Sequence, residues 1–238
     1  MSVPQAEASP EPVAFHAQLA PDWEERYHKR SFRARQTVLA ECLHSLDLAG
    51  SSWLDAGCGT GTLSRWLAER GCHVLGVDAA SSMVEVAAQL AKTSAHADKL
   101  QFARVETVAR LPVEDSSIEG VLCSSVLEYV GHPRACLAEF ARVLKARGLL
   151  LVSVPNRDSV IRRTQVACHR LGDRMGKNWL PFVRHSRHQF SVEEFARLLG
   201  ECGFATEKVL SFGSPIPRRV QRLRYAGSLM MFMTRKTA

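Results

Sequence analysis

Apolar positions change their period twice along this chain, and the changes divide it into three parts. From Phe15 to Leu48 they recur at helical spacing, with Val38, Leu39, Cys42, Leu43 and Leu46 on one face. Two amphipathic helices are expected there, around 21–28 and 33–46. Beyond residue 50, short apolar runs alternate with helical segments. The runs predict strands at 52–56, 73–77, 101–105, 119–124 and 148–154; the segments between predict helices at 62–70, 81–93 and 133–145. Strand and helix in alternation specify an α/β fold, a doubly wound sheet that is mostly parallel. In the last part, Ser191 with Glu194 three residues on, and Gly203 beyond, mark a capped helix over 191–202. Two final strands, at about 205–212 and 228–235, are expected to pair antiparallel. Residues 1–13, made of Pro, Glu, Ala and Ser among others, lack periodicity and read as a flexible tail.

The densest chemistry lies where the first strand meets the first helix of the alternating part. Asp55-Ala56-Gly57-Cys58-Gly59-Thr60-Gly61 carries glycine at every second position, and a helix opens at Thr62. Glycine permits positive φ and lets a ligand lie against bare backbone, and the helix start points its amides at the same place. A dinucleotide fingerprint would put a glycine or alanine at position 62, where this chain has Thr62, so a nicotinamide site fits poorly. The second strand ends at Asp78, twenty-one positions after Gly57. A carboxylate at that strand tip is placed to accept both hydroxyls of a ribose.

With two further stretches, Leu111 to Ile118 and Phe140 to Gly148, these segments resemble the class I S-adenosylmethionine-dependent methyltransferases, in order and spacing over residues 50–156. Within that family the pattern looks like the small-molecule branch that includes the ubiquinone and menaquinone pathway methyltransferases. The resemblance implies a Rossmann-like seven-stranded sheet with a reversed last strand. It divides the methyltransferase domain, 14–238, into an N-terminal helical lid at 14–48, the sheet, and an acceptor cap inserted at 157–187.

It also implies roles for S-adenosyl-L-methionine as cofactor. Gly57, Cys58, Gly59 and Gly61 approach its methionine part, and Asp55 orients their loop. Asp78 holds the ribose, and Ala79 and Met83 pack on the adenine. Thr107 stands where relatives carry an acid that meets the adenine, and Ser124 follows the fourth strand beside the cofactor. Arg35 and Tyr27, in the lid, reach toward it, Arg35 to the carboxylate. For catalysis the resemblance points to His188 and His185, with Tyr129 at the mouth. Relatives read Leu-Glu-His-Val where this chain reads Leu127-Glu128-Tyr129-Val130. Each residue has a plainer reading too: Met83 as helix core, Asp78 as a helix cap, Arg35 as a solvated cation, His188 as a histidine bonded to a loop carbonyl.

Composition narrows the partners. The 238 residues carry a net charge of +7, concentrated between Arg157 and Arg187 and again from Arg218 to Arg224. A basic excess suits a solvated helix face, an acidic substrate, an anionic membrane surface or nucleic acid. Against nucleic acid, Ser124-Ser125-Val126-Leu127 lacks the Pro-Pro-aromatic signature and stacking ring of base-methylating relatives. Trp179-Leu180-Pro181-Phe182-Val183, between basic flanks, suits an aromatic or acidic small molecule, or peripheral contact with a membrane. Seven cysteines without framework spacing, no C-x-x-C pair and no secretory leader lead us to expect a cytoplasmic protein with reduced thiols and no metal. The leading expectation is O-methylation of an aromatic, quinone-like or secondary-metabolite hydroxyl. N- or C-methylation, a nucleic-acid methyltransferase and a cofactor-binding protein without activity remain alternatives, and the oligomeric state stays open.

Overall fold

The computed structural model describes residues 10–27, 30–213 and 226–237. Seven strands form one sheet: β1 (Ser52–Ala56), β2 (His73–Asp78), β3 (Leu100–Arg104), β4 (Ile118–Ser124), β5 (Leu144–Pro155), β6 (Phe204–Phe212) and β7 (Leu229–Lys236). Their order across the sheet is β3-β2-β1-β4-β5-β7-β6. The first five run parallel, and β7 is antiparallel to both its neighbours, β5 and β6. Chain order reverses direction between β1 and β4, and the carboxyl ends of strands at such a point leave a crevice for ligands.

Each expected strand is present. β5 begins four residues earlier than the apolar run suggested, because Leu144 pairs with Ile118 across an irregular register before the regular ladder starts at Gly120 and Leu149. Both sheet faces are covered, as parallel strands require. One face packs Leu54, Val121, Leu150 and Val152 against α6 (Pro133–Val143) and α9 (Val192–Glu201) through Leu137, Phe140, Phe195 and Leu199. The other packs Trp53, Val74, Leu122 and Leu151 against α3 (Arg30–Leu43) and α4 (Thr62–Ala68). The cap read at Ser191 is a complete capping box: Ser191 Oγ accepts from Glu194 N at 3.1 Å, and Glu194 Oε2 accepts from Ser191 N at 3.0 Å.

The N-terminal region departs from expectation. A helix, α1 (Pro10–Leu19), begins inside the segment 1–13 that read as a tail. Its first turn carries Pro10, Glu11 and Pro12, residues favoured where amide groups have no partner to lose. α1 packs through Val13 and Ala17 on Met83 and Ala80, next to α5 (Ser81–Lys92). A short 3-10 turn (Ala20–Asp22) and α2 (Trp23–Tyr27) follow. The insertion at 157–187 contains α7 (Val160–Arg174) and α8 (Pro181–His185). All seven cysteines are unpaired. Among the described residues, no helix is long and apolar enough to cross a membrane. The basic stretch Arg218 to Arg224 lies outside the described residues.

Candidate functional site

A cavity of about 500 Å³ opens above the carboxyl ends of β1, β2 and β4, within the size of small-molecule sites. Its floor is the glycine turn. Gly57 and Cys58 both donate their amides to Val77 O, at 2.8 and 3.0 Å, which draws the turn across the tip of β2. Gly57, Gly59 and Gly61 all have positive φ, at 79°, 55° and 74°. A Cβ on Gly57 would overlap the Val126 side chain, and one on Gly59 would come within 3.3 Å of the Trp23 indole nitrogen.

Two carboxyls hold this floor. Asp55 is buried beneath the turn and accepts from the Ser64 hydroxyl at 2.6 Å, tying β1 to α4. Burial raises its pKa to about 7, against the lowering effect of that hydrogen bond. Asp78 lines the cavity and accepts from Gly59 N and Ala80 N, each at 2.9 Å. A carboxylate has about four acceptor sites, so these amides leave capacity for a ligand hydroxyl. Burial raises its pKa, against the pull of these amides.

The expected cofactor residues divide accordingly. Gly57, Cys58, Gly59, Asp78, Ala79, Met83, Thr107, Ser124 and Arg35 line the cavity. Asp55 and Gly61 do not, and both act from beneath. Gly61 is the left-handed N-cap of α4, set so close to Phe102 that a Cβ would come 2.6 Å from Cζ. The Tyr27 side chain and His28 lie outside the described residues. Arg35 donates to Ser125 Oγ at 3.1 Å, on the far side of the glycine turn from Asp78.

The N-terminal helices are clamped to the turn. Glu24 on α2 accepts from the Thr60 hydroxyl (2.6 Å), the Thr62 hydroxyl (2.8 Å) and the Arg65 guanidinium (2.8 Å). Burial raises the Glu24 pKa, but these donors outweigh it and hold the group below its ordinary value.

The acceptor side requires a correction. His188 does not line the cavity: its Nε2 lies 3.0 Å from the Val130 carbonyl, and its ring stacks on Phe190. It ties a loop, the plainer of the two readings. His185 also stands off the cavity, with its ring 4.7 Å from Phe15. Burial and the neighbouring Arg184 lower its pKa. Of the expected catalytic residues only Tyr129 lines the cavity; burial first, then Glu128, raise its pKa and keep it a neutral phenol.

Sequence reasoning missed His16, Arg162 and Gln165, which line the cavity together with Glu128, a residue the sequence placed at its mouth without a role. His16 Nδ1 lies 2.7 Å from Pro12 O, so it carries the proton, and the ring packs edge-on to Tyr129 at 4.8 Å. Burial lowers its pKa, only partly offset by Pro12 O and Asp78. Glu128 is brought inward by a sharp bend after β4, where Ser125 adopts φ 59°, uncommon for a non-glycine residue. Burial raises the Glu128 pKa to about 7. The signal for His16 was the Pro-Glu-Pro start of α1.

The cavity pairs a carboxylate at a strand tip with bare backbone and an apolar wall of Ala79, Ala80, Met83 and Val108. That donor set fits a nucleoside with an amino-acid tail: hydroxyls on Asp78, base on the apolar wall, tail along the turn toward Arg35.

Comparisons with known proteins agree with this geometry. The family described as Methyltransferase domain matches residues 54–152. A ubiquinone biosynthesis O-methyltransferase from Idiomarina loihiensis is 35% identical over 149 residues, 62% of this chain and 58% of that protein. The same enzyme from Paracidovorax citrulli is 30% identical over 163 residues, 67% of each chain. The chain spans about half the length of most of the curated relatives it matches. A crystal structure of an S-adenosylmethionine-dependent methyltransferase from Thermotoga maritima superposes with a TM-score of 0.70 at 21% identity, covering 94% of this chain and 99% of that one.

Proposed function

The chain belongs to the class I S-adenosylmethionine-dependent methyltransferases, and from that premise we propose that it methylates a small molecule at a hydroxyl oxygen of an aromatic, quinone-like or secondary-metabolite acceptor. The observation that carries the reading is one continuous cavity with two chemistries. Its lining joins the glycine turn and Asp78 with the aromatic rings of Phe15, Tyr129 and Phe182 and with polar groups. S-adenosylmethionine, when bound, supplies a methyl group on a sulfonium that is already a good leaving group.

The chain's own residues bind, align and exclude water. Gly57 and Gly59 offer backbone without side chains, Asp78 accepts hydroxyl protons, and Arg35 draws a carboxylate. α1 and α2 close over the turn through the Glu24 clamp, so the lid and the floor form one enclosure. Holding two reactants in line supplies a large part of the rate enhancement in such transfers. The name shared by the first curated relatives favours an O-linked acceptor.

The test is calorimetry with S-adenosylhomocysteine and NADH, followed by transfer of labelled methyl to a panel of phenols, hydroquinones and arylamines. Binding of the nucleoside thioether, and label on the phenols alone, is the expected outcome. Binding of NADH alone, or label only on amines, would refute it.

A second reading concerns the insertion, and we propose that its outer face meets an anionic membrane surface. Val160, Leu171, Met175 and Trp179 are exposed there, among Arg157, Arg163, Arg170, Arg174 and Lys177. Apolar groups ringed by cations suit the interface of a bilayer. Co-sedimentation with phosphatidylglycerol vesicles, lost in high salt and weak with phosphatidylcholine, is expected; equal binding to both would remove the reading.

A further inference from the structure

Three polar atoms of cavity-lining residues are buried without a hydrogen-bond partner: Glu128 Oε2, Arg162 Nε and Gln165 Oε1. Glu128 is 3% exposed and Arg162 4%. Buried polar groups are nearly always satisfied, so a cluster of orphans at one end of a cavity marks what the cavity receives.

Two features sharpen the point. Glu128 and Arg162 each perturb the other's ionisation, yet they form no ion pair within 4.0 Å. A carboxylate and a guanidinium buried together would ordinarily close on one another. Instead Arg162 is held back, donating through Nη2 to Ser186 Oγ at 2.7 Å. The second feature is the helix that carries it. α7 turns Arg162, Gln165 and His169 toward the protein, while Val160 and Leu171 stand exposed among Arg163, Arg170 and Arg174. An amphipathic helix normally buries its apolar stripe. Here two polar residues of its inner face, Arg162 and Gln165, line the cavity.

The space between an acceptor-only carboxylate and a donor-only guanidinium fits a group that donates to one and accepts from the other. A hydroxyl does both. We propose that Glu128 is the general base of the transfer and that Arg162 holds the acceptor oxygen as its negative charge develops. The proposal rests on the hydroxyl-methylation reading given above. As the reaction proceeds, the acceptor O–H bond breaks and its proton passes to the Glu128 carboxylate. The oxygen forms its bond to the methyl carbon while the carbon–sulfur bond breaks, and that electron pair stays on sulfur. The sulfonium charge and the acceptor proton are thereby accounted for: the products are the methyl ether, S-adenosylhomocysteine and a protonated Glu128, which returns its proton to solvent on product release.

The groups that set the ionisation of Glu128 come from four elements. Burial raises it to about 7, and Arg35 on α3 and Arg162 on α7 oppose that rise. Tyr129, next to it, and Cys123 on β4 feel its charge in turn. A base with this ionisation is matched to neutral pH. His16 is placed differently: its proton is committed to Pro12 O, and it walls the cavity beside Tyr129.

Glu128→Gln keeps the shape and removes the base. It is expected to bind S-adenosylhomocysteine as the wild type does, by calorimetry, and to lose roughly 10²- to 10⁴-fold in kcat on whichever phenol the wild type methylates. The rise of rate with pH near neutrality should vanish with it. A readout apart from turnover uses 4-nitrophenol, whose ionisation is visible by absorbance, added to the protein loaded with S-adenosylhomocysteine. Glu128→Gln should lower the ionisation pH of the bound phenol by about one unit or more, and Arg162→Met should raise it, since nearby charges act in opposite senses. Unchanged turnover and pH profile in Glu128→Gln, with the wild type active, would overturn the base assignment while leaving O-methylation standing. A wild type inactive on every hydroxyl acceptor, with both spectral shifts present, would remove O-methylation and keep the paired site. Failure of the phenol to bind, or spectra indifferent to both substitutions, would overturn the site itself.

Discussion

Gly57→Ala isolates what the glycine turn requires of its sequence. Gly57 sits at φ 79°, where an L-residue costs about 1–2 kcal/mol more than glycine. Its added Cβ would also overlap Val126 Cγ2 and lie 3.2 and 3.3 Å from Cγ1 and Cβ of the same residue. Backing away is blocked, because Gly57 N and Cys58 N are both bonded to Val77 O. Overpacking of this kind costs about 1–3 kcal/mol, so the substitution should cost about 2–5 kcal/mol in all. At ~2–4 °C per kcal/mol for a domain of this size, the melting temperature should fall by about 4 °C or more. The two causes separate in a double-mutant cycle. Val126→Ala removes both Cγ atoms, so Gly57→Ala on that background should keep only the backbone cost, about 1–2 kcal/mol. The coupling between positions 57 and 126, read from urea unfolding, should then be about 1–3 kcal/mol. Additive single and double mutants would show that the Val126 contact is not what excludes a side chain. A Gly57→Ala protein within about 0.5 kcal/mol of wild type would refute the whole account.

Three other perturbations probe the enclosure and its support. Glu24→Ala removes the lid clamp; hydrogen bonds to a charged group, discounted for partial exposure, contribute about 1–2 kcal/mol. S-adenosylhomocysteine should then bind about 5- to 30-fold more weakly by calorimetry, and unchanged affinity would detach the lid from cofactor binding. Asp55 is raised to about 7 in the folded protein from 3.8, so the folded state holds the proton that the unfolded state releases. Its contribution to stability is full below about pH 4, falls by up to about 1.4 kcal/mol per pH unit, and is gone above about 7. Asp55→Asn keeps an acceptor for Ser64 and abolishes that slope, so unfolding free energies of the two proteins should diverge between pH 5 and 7 in favour of the variant; parallel curves would show that Asp55 titrates normally. Ser191→Ala breaks the capping box and should cost about 1 kcal/mol, or ~2–4 °C, whereas Ser191→Asp should recover most of it; equal melting of all three would mean the cap contributes nothing.

The sheet was legible because its signals are local. Apolar runs of strand length bounded by Gly, Asp and Pro gave all seven strands, and Ser191 with Glu194 gave a helix start to the residue. Two details were less so, and both depend on neighbours distant in sequence. β5 extends back to Leu144 because Ile118 on β4 is there to pair with it. Gly120 lies inside β4, where a glycine weakens a strand unless something needs its space. In the fold its missing side chain makes room for Trp53, whose indole fills the place a Cβ would take.

The site divides along the same line. The part expected to take the cofactor centres on one strand–turn–helix unit and one strand tip, so spacing exposed the glycine turn and Asp78, and the resemblance supplied the rest. The rest of the cavity, where we place the acceptor, is assembled from α1, the loop after β4, α7 and α8. Its polar groups fall in separate short pieces, Glu128 with Tyr129 and Arg162 with Gln165, that the sequence does not join. α7 shows why an amphipathic pattern did not suffice. Its polar stripe at Arg162, Gln165 and His169 is visible in the sequence, but the general rule turns such a stripe to water and leaves the apolar side inward. Burying a guanidinium is unfavourable unless something meets it, and Ser186 meets only one of its nitrogens. A helix that buries Arg162 with Nε unmet therefore keeps a donor for whatever the cavity receives. On the general-base proposal an acceptor hydroxyl would meet both Glu128 Oε2 and Arg162 Nε, whereas a hydrophobic tail alone would leave both atoms without a partner.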